Sequence, residues 1–252
     1  MTTRNLSKYG WRRDLPDIRD RQFTVSATPL YPQTVDTRAH SWGIYDQGQI
    51  GSCTANSSLS AFRQLLIQEK LGDFDGSRLS EYYWSRLEEG ETKTDSGASI
   101  RDAVKVLAKR GCAPESMWPY NTAKIFVGPP AAVGVAAKKN LALQYQSVAL
   151  TQDAICQAIY KNGNVIIGIS VYSSFESDAV AKTGIVPLPA TTETLLGGHA
   201  LHACGFSLAN NWVIVKNSWG TSWGDAGYCY IPFSYLTNTN LGGDFWTISR
   251  DN

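Results

Sequence analysis

The feature that most narrows the folds open to this chain is a change of hydrophobic period near residue 141. Ahead of it, apolar residues recur at helical spacing. Between Ser52 and Lys70, Ala55, Leu59, Phe62 and Leu66 fall on one helix face. Ile100, Val104 and Leu107 do the same between Ser99 and Lys109, and Gly111 stands where a helix stop is expected. Beyond residue 141, LALQYQSVAL, NVIIGISVY, GYCYIP and FWTISR are β-branched and aromatic. HALHACGF and NNWVIVKNS, parted by a polar turn, predict a hairpin. One helix interrupts them, TQDAICQAIYKNG, with Thr151 as N-cap and Gly163 as stop. The polar, Pro-bounded PLPATTETLLGG predicts a surface loop. Helices first and strands after predict an α+β fold.

A chain of 252 residues with 43% hydrophobic and 11% aromatic residues can bury one large core or two packed lobes. Twenty-three Lys and Arg against 22 Asp and Glu leave a net charge of +1, with no basic stripe, so nucleic acid is not an expected partner. No stretch is long and apolar enough to predict a membrane span, and the N-terminal residues lack a signal peptide's apolar core, so a cytoplasmic location is the default. A monomer is expected. Five cysteines without a CxxC pair predict neither a zinc knuckle nor a disulfide scaffold, and no metal or organic cofactor is implied.

Residues 1–33 have no regular period, carry an excess of three positive charges over residues 1–22, and predict an extended arm. Trp11, Leu15 and Ile18 are apolar side chains that a solvated tail does not need, and Pro16 favours an extended chain suited to a groove.

Cys53 follows the Gly-rich turn YDQGQIGS and falls in the first turn of a predicted helix. There the dipole and unpaired N–H groups favour a thiolate. His199 follows Gly197 and Gly198, which let a carbonyl substrate come close to the backbone; His202, three residues on, points to the opposite strand face and reads as structural. His40 is expected to be exposed. Asn217 ends the strand WVIVK, and Trp219 beside it can shield an Asn–His hydrogen bond from water.

QGQIGSCTA, GGHA and VKNSWGTSWGDAGY, in that order, resemble the cysteine, histidine and asparagine motifs of the papain-like cysteine peptidase family, and GCAPESMWPY resembles a further family segment. The spacing of 146 residues from Cys53 to His199 fits that family. The resemblance covers roughly residues 35–235 and is nearest to bacterial members. It implies a two-lobed fold, with a helical lobe over about residues 35–140, a β-barrel-like lobe over about 141–252, and residues 1–34 as an N-terminal extension. It implies Cys53 as nucleophile, His199 as general acid and base, Asn217 as the group orienting that imidazole, and Gln47 as an oxyanion donor. It also implies that Gly97, Ala98, Gly198 and Trp219 contact a peptide or protein substrate. The expected enzyme is a cysteine endopeptidase, a zymogen if the extension covers the cleft.

The chain departs from the family at Ile50, where many relatives carry a disulfide cysteine, and at Thr54, where they carry Trp. Cys112, Cys204 and Cys229 match no family bridge, so Cys112, Cys156, Cys204 and Cys229 are expected to be free thiols. Two alternatives share the sequence: an acyl-transferring ligase or transglutaminase-like enzyme on the same machinery, and a non-catalytic peptide-binding protein.

Overall fold

A computed structural model of the chain describes residues 9–28, 31–41, 43–141 and 144–250. The first eight residues of the predicted arm lie outside these, as do residues 29 and 30.

The fold is α+β. In chain order the main elements are β1 (Trp11–Arg12), β2 (Thr34–Asp36), α1 (Cys53–Gln68), α2 (Arg78–Glu88), β3 (Ala98–Ser99), α3 (Ile100–Lys109), α4 (Ala131–Ala137), β4 (Gln144–Ser147), α5 (Gln152–Asn162), β5 (Val165–Tyr172), α6 (Asp178–Thr183), β6 (Leu195–Ser207), β7 (Trp212–Lys216), β8 (Tyr228–Pro232), α7 (Phe233–Leu236) and β9 (Gly242–Ser249). The large sheet runs β4-β9-β5-β6-β7-β8, with β2 added on β6; every pairing in it is antiparallel, and it does not close into a barrel. The predicted hairpin is β6 and β7, although β6 begins at Leu195, inside the stretch read as a loop.

α1 is the central element. Fourteen of its residues are buried, among them Ser57, Ser58, Ser60, Arg63 and Gln64. Most of these polar groups find a partner: Ser60 Oγ meets His202 Nδ1 at 3.0 Å, Gln64 donates to Thr37 Oγ1 at 2.8 Å, and Arg63 pairs with Asp73 and Asp75. One apolar cluster joins Cys53, Leu59 and Phe62 of α1 to Ile100, Val104 and Leu107 of α3, and to Ile166, Ala200 and Trp246 of the sheet, tying the helices to the strands. α3 starts where Ser99 Oγ accepts the Asp102 N–H and stops at Gly111, whose φ of 78° suits glycine. α5 is capped by Thr151 and ended by Gly163, as predicted.

Among the described residues no helix is long and apolar enough to cross a membrane, and no group of three His, Cys, Asp or Glu side chains could hold a metal ion. All five cysteines are free and buried.

Candidate active site

Cys53 is the first residue of α1. The preceding Ser52 supplies no side-chain cap; its hydroxyl is taken by Tyr120 Oη at 2.5 Å and by Asn56 Nδ2 at 3.0 Å. The helix's first N–H groups are therefore left to whatever lies before Cys53. N–H groups of Ala200, Gly10, Thr54 and Cys53 itself come close enough to the sulfur to favour its anion. Ala200 directly follows His199, so β6 delivers the imidazole to the sulfur's neighbourhood.

Asn217, at the end of β7, accepts two hydrogen bonds on Oδ1: from the Ser218 N–H at 2.8 Å and from His199 Nε2 at 2.9 Å. The backbone donor settles the amide's orientation, since only its oxygen can face an N–H. His199 Nε2 must then carry a proton, and Nδ1 is left as the ring's other working nitrogen. Trp219 stacks on His199, ring centroids 4.8 Å apart at 23°, and keeps water from the bond. His202, three residues along β6, is buried against Ser60, and His40 is exposed, as expected.

Gln47 is fully buried. Its Oε1 accepts from Ser218 Oγ at 2.7 Å and its Nε2 donates to Ile50 O at 3.0 Å, so the residue after Asn217 also orients Gln47. Gly97 is pinned by its N–H donating to Tyr82 Oη at 3.0 Å; Tyr82 in turn donates to Asp95, which accepts the Gly51 N–H as well. Asp95 and Tyr82 thus hold both rims beside Cys53. No local motif marks either residue.

The arm crosses this site. Gly10 lies on Gly51, so close that a Cβ at Gly10 would sit 1.8 Å from Gly51 O. Its carbonyl accepts the Ala98 N–H at 2.8 Å, and Trp11 and Arg12 pair in parallel with Ala98 and Ser99. Tyr9 meets the rings of His199 and Trp219 edge-on and donates to Glu176. The Trp11 carbonyl rests on Gly198, and its indole is buried against the sheet. All four residues expected to meet substrate therefore lie against or beneath the arm: Gly97, Ala98 and Gly198 touch it directly, and Trp219 sits under Tyr9.

Two expectations are corrected. Leu15 and Ile18 do not dock: they are 80% and 104% exposed, and only Trp11 of the three is buried. Burying an indole is worth about 3 kcal/mol, whereas the half-exposed Arg12–Glu89 ion pair adds at most about 1 kcal/mol, so Trp11 is the anchor. Nor is Cys53 a low-pKa thiol in this arrangement. Burial pushes it up to about 11, outweighing the surrounding N–H groups.

Comparison with known proteins identifies the family. The sequence profile of the papain family cysteine proteases matches residues 31–240. The chain belongs to that family and is a cysteine protease. Xylellain, a cysteine protease from Xylella fastidiosa, shares 34% identity and superposes with a TM-score of 0.93, covering 100% of this chain and 99% of its own. An uncharacterized peptidase C1-like protein of Acanthamoeba polyphaga mimivirus is 34% identical over 99% of this chain and 89% of its own length. Procathepsin L 3 of Tenebrio molitor, 18% identical, shares the fold with a TM-score of 0.76 over 97% of this chain and 77% of its own.

Proposed function

We propose that the chain is a peptidase that acts through a Cys53 acyl-enzyme and is held closed by its own N-terminal residues, with residues 1–34 serving as an extension to the catalytic unit 35–252. The observation that carries this reading is the Cys53 sulfur at the first turn of α1 beside the N–H of Ala200, the residue after an imidazole held by Asn217.

With the arm displaced, water and the helix N-terminus favour the anion, and the proton passes to His199 Nδ1. The sulfur attacks the scissile carbonyl while the Cys53 N–H and Gln47 Nε2 receive the developing oxyanion. The tetrahedral species collapses as His199 gives its proton to the leaving amine. Water, deprotonated by the same nitrogen, then cleaves the thioester and releases a carboxylic acid and the free thiol. Asn217 keeps Nε2 protonated throughout, and Gly97 and Ala98 offer the substrate backbone the edge that the arm now occupies.

The arm's hold depends on Gly10, since any larger residue meets Gly51 backbone. In the full chain Gly10→Val should therefore release the segment, raise kcat/KM for small peptides at least tenfold and speed alkylation of Cys53 in the same proportion. Unchanged rates in both assays would reduce the arm to a structural strap. Absence of hydrolysis together with rapid alkylation would refute the peptidase reading but leave the cover standing.

A further inference from the structure

The peptide unit between Ile50 and Gly51 is gripped from both sides. Its carbonyl accepts from Gln47 Nε2 at 3.0 Å, and its N–H donates to the two carboxylate oxygens of Asp95, at 3.1 and 3.0 Å. In a trans peptide the carbonyl and the N–H point in opposite directions, so these bonds fix the rotation of the plane between them. A flip would turn the carbonyl toward the carboxylate and leave Asp95 without its donor. The unit lies just ahead of Ser52 and Cys53, in the segment where Ile50 stands in place of a disulfide cysteine of many relatives.

The same carboxylate reaches a second segment. Tyr82 donates to Asp95 Oδ1 and accepts the Gly97 N–H at 3.0 Å. Burial first, and then the Asp95 charge, push the Tyr82 phenol above its ordinary range, so it keeps the proton that this relay needs. The chain beside Asp95 is fastened as well. Arg86 of α2, one turn after Tyr82 and fully buried, donates to the Thr94 carbonyl at 2.6 Å, with its guanidinium 4.2 Å from the Tyr82 ring. None of these bonds uses a residue of the arm, so the frame belongs to the catalytic unit.

We propose that Asp95 is a positioning residue of the reaction: through the Ile50–Gly51 peptide it aims the Gln47 amide at the oxyanion, and through Tyr82 it sets the place of Gly97. The inference rests on the reading of Cys53 as nucleophile and of Gln47 as oxyanion donor. Gln47 Nε2 carries two protons in the plane of one amide, and one of them goes to Ile50 O, so that bond decides where the other points. The far end of the amide is held by Ser218 Oγ at 2.7 Å. Ile50 O therefore directs Gln47, and Asp95 directs Ile50 O. An oxyanion donor is effective when it needs no reorientation as charge develops, and a carboxylate that never touches the substrate supplies that fixity here.

The test uses full-length Gly10→Val as the open background and a small peptide amide as substrate. In it Gln47→Ala should lower kcat about a hundredfold and Asp95→Ala about tenfold. The two together should fall no more than about twofold below Gln47→Ala alone, since Asp95 then has nothing left to aim. Asp95→Asn, whose amide oxygen still accepts the Gly51 N–H, should restore kcat to within about threefold. Tyr82→Phe cuts only the branch to Gly97, so KM should rise roughly threefold or more with kcat within about twofold. Alkylation of Cys53 by iodoacetamide, which forms no oxyanion, should stay within about twofold in every variant, a result that general loss of packing would not give. Losses that multiply in the double variant, or a kcat that Asp95→Asn fails to restore, overturn the proposal while leaving the peptidase standing. An unchanged KM in Tyr82→Phe removes Gly97 from it. If Gln47→Ala keeps its full kcat, the oxyanion reading fails and the role of Asp95 goes with it.

Discussion

At Asn217 a single amide oxygen serves two donors, and this makes its contribution separable from that of Cys53. Removing the amide leaves His199 free to adopt the other tautomer and to tilt under Trp219, but leaves the Cys53 sulfur in place. Asn217→Ala should lower kcat roughly tenfold to a hundredfold, the scale of one lost bond to a charged ring, with KM little changed; Cys53→Ala should have no turnover at all. Equal and complete loss in both variants, with the circular dichroism spectrum preserved, would mean that Asn217 does more than orient the imidazole. These residues were legible in the sequence because each carries its own local signature: a helix start at Cys53, paired glycines before His199, and tryptophans after Asn217. Asp95, Tyr82 and Asp244 were not legible. They act through partners far away in the chain, and an acidic residue without a neighbouring motif looks like any solvated charge.

Among the elements, those that carry an unbroken apolar stripe could be read directly, as α1, α3 and α5 show. α2 escaped because the face it buries includes Ser80, Glu81, Ser85 and Arg86, which break an apolar period, and α4 because seven small residues have hardly a period to break. The arm was legible as extended and apolar in part, yet which side chain would anchor it depended on Gly168, Gly198 and Gly243, which β5, β6 and β9 bring together around the indole.

The element-scale prediction concerns the arm's second fastening. Asp14 accepts from Trp246 Nε1 at 2.8 Å and faces Asp244, with Arg101, Arg13 and Asp20 around it. Burial first, and then the Asp244 carboxylate, raise Asp14 from 3.8 to about 6 in the docked arm. A raised pKa in the docked state means that docking binds a proton. The arm is held tightest below pH 3.8, and the hold weakens as pH rises through about 6, by up to about a hundredfold. The alkylation rate of Gly10→Val divided by that of the wild type cancels the ordinary titration of the thiol. This ratio should fall between about pH 4 and pH 7, and Asp14→Asn should flatten it. A ratio independent of pH in the wild type would remove Asp14 from the fastening.

Over the whole molecule, the strand order β4-β9-β5-β6-β7-β8 could not be read from the chain, since β5 lies between partners that come from both later segments. That same long-range order has a consequence for how each molecule comes into being. Trp11 and Asp14 bond to Asp244, more than 200 residues further on, so their docking must wait until β9 has been made and folded. Cys53, His199 and Asn217 all precede that point. We therefore expect an interval in folding in which Cys53 is in place and the arm has not yet docked across it. After dilution from denaturant, a stopped-flow pulse of thiol reagent should find Cys53 briefly reactive and then protected, whereas Gly10→Val should stay reactive to the end. Protection that appears together with the sheet, without a reactive interval, would show that the cover closes as the strands form. An enzyme that is competent before it is closed has one unguarded moment in its life, and it falls at its birth.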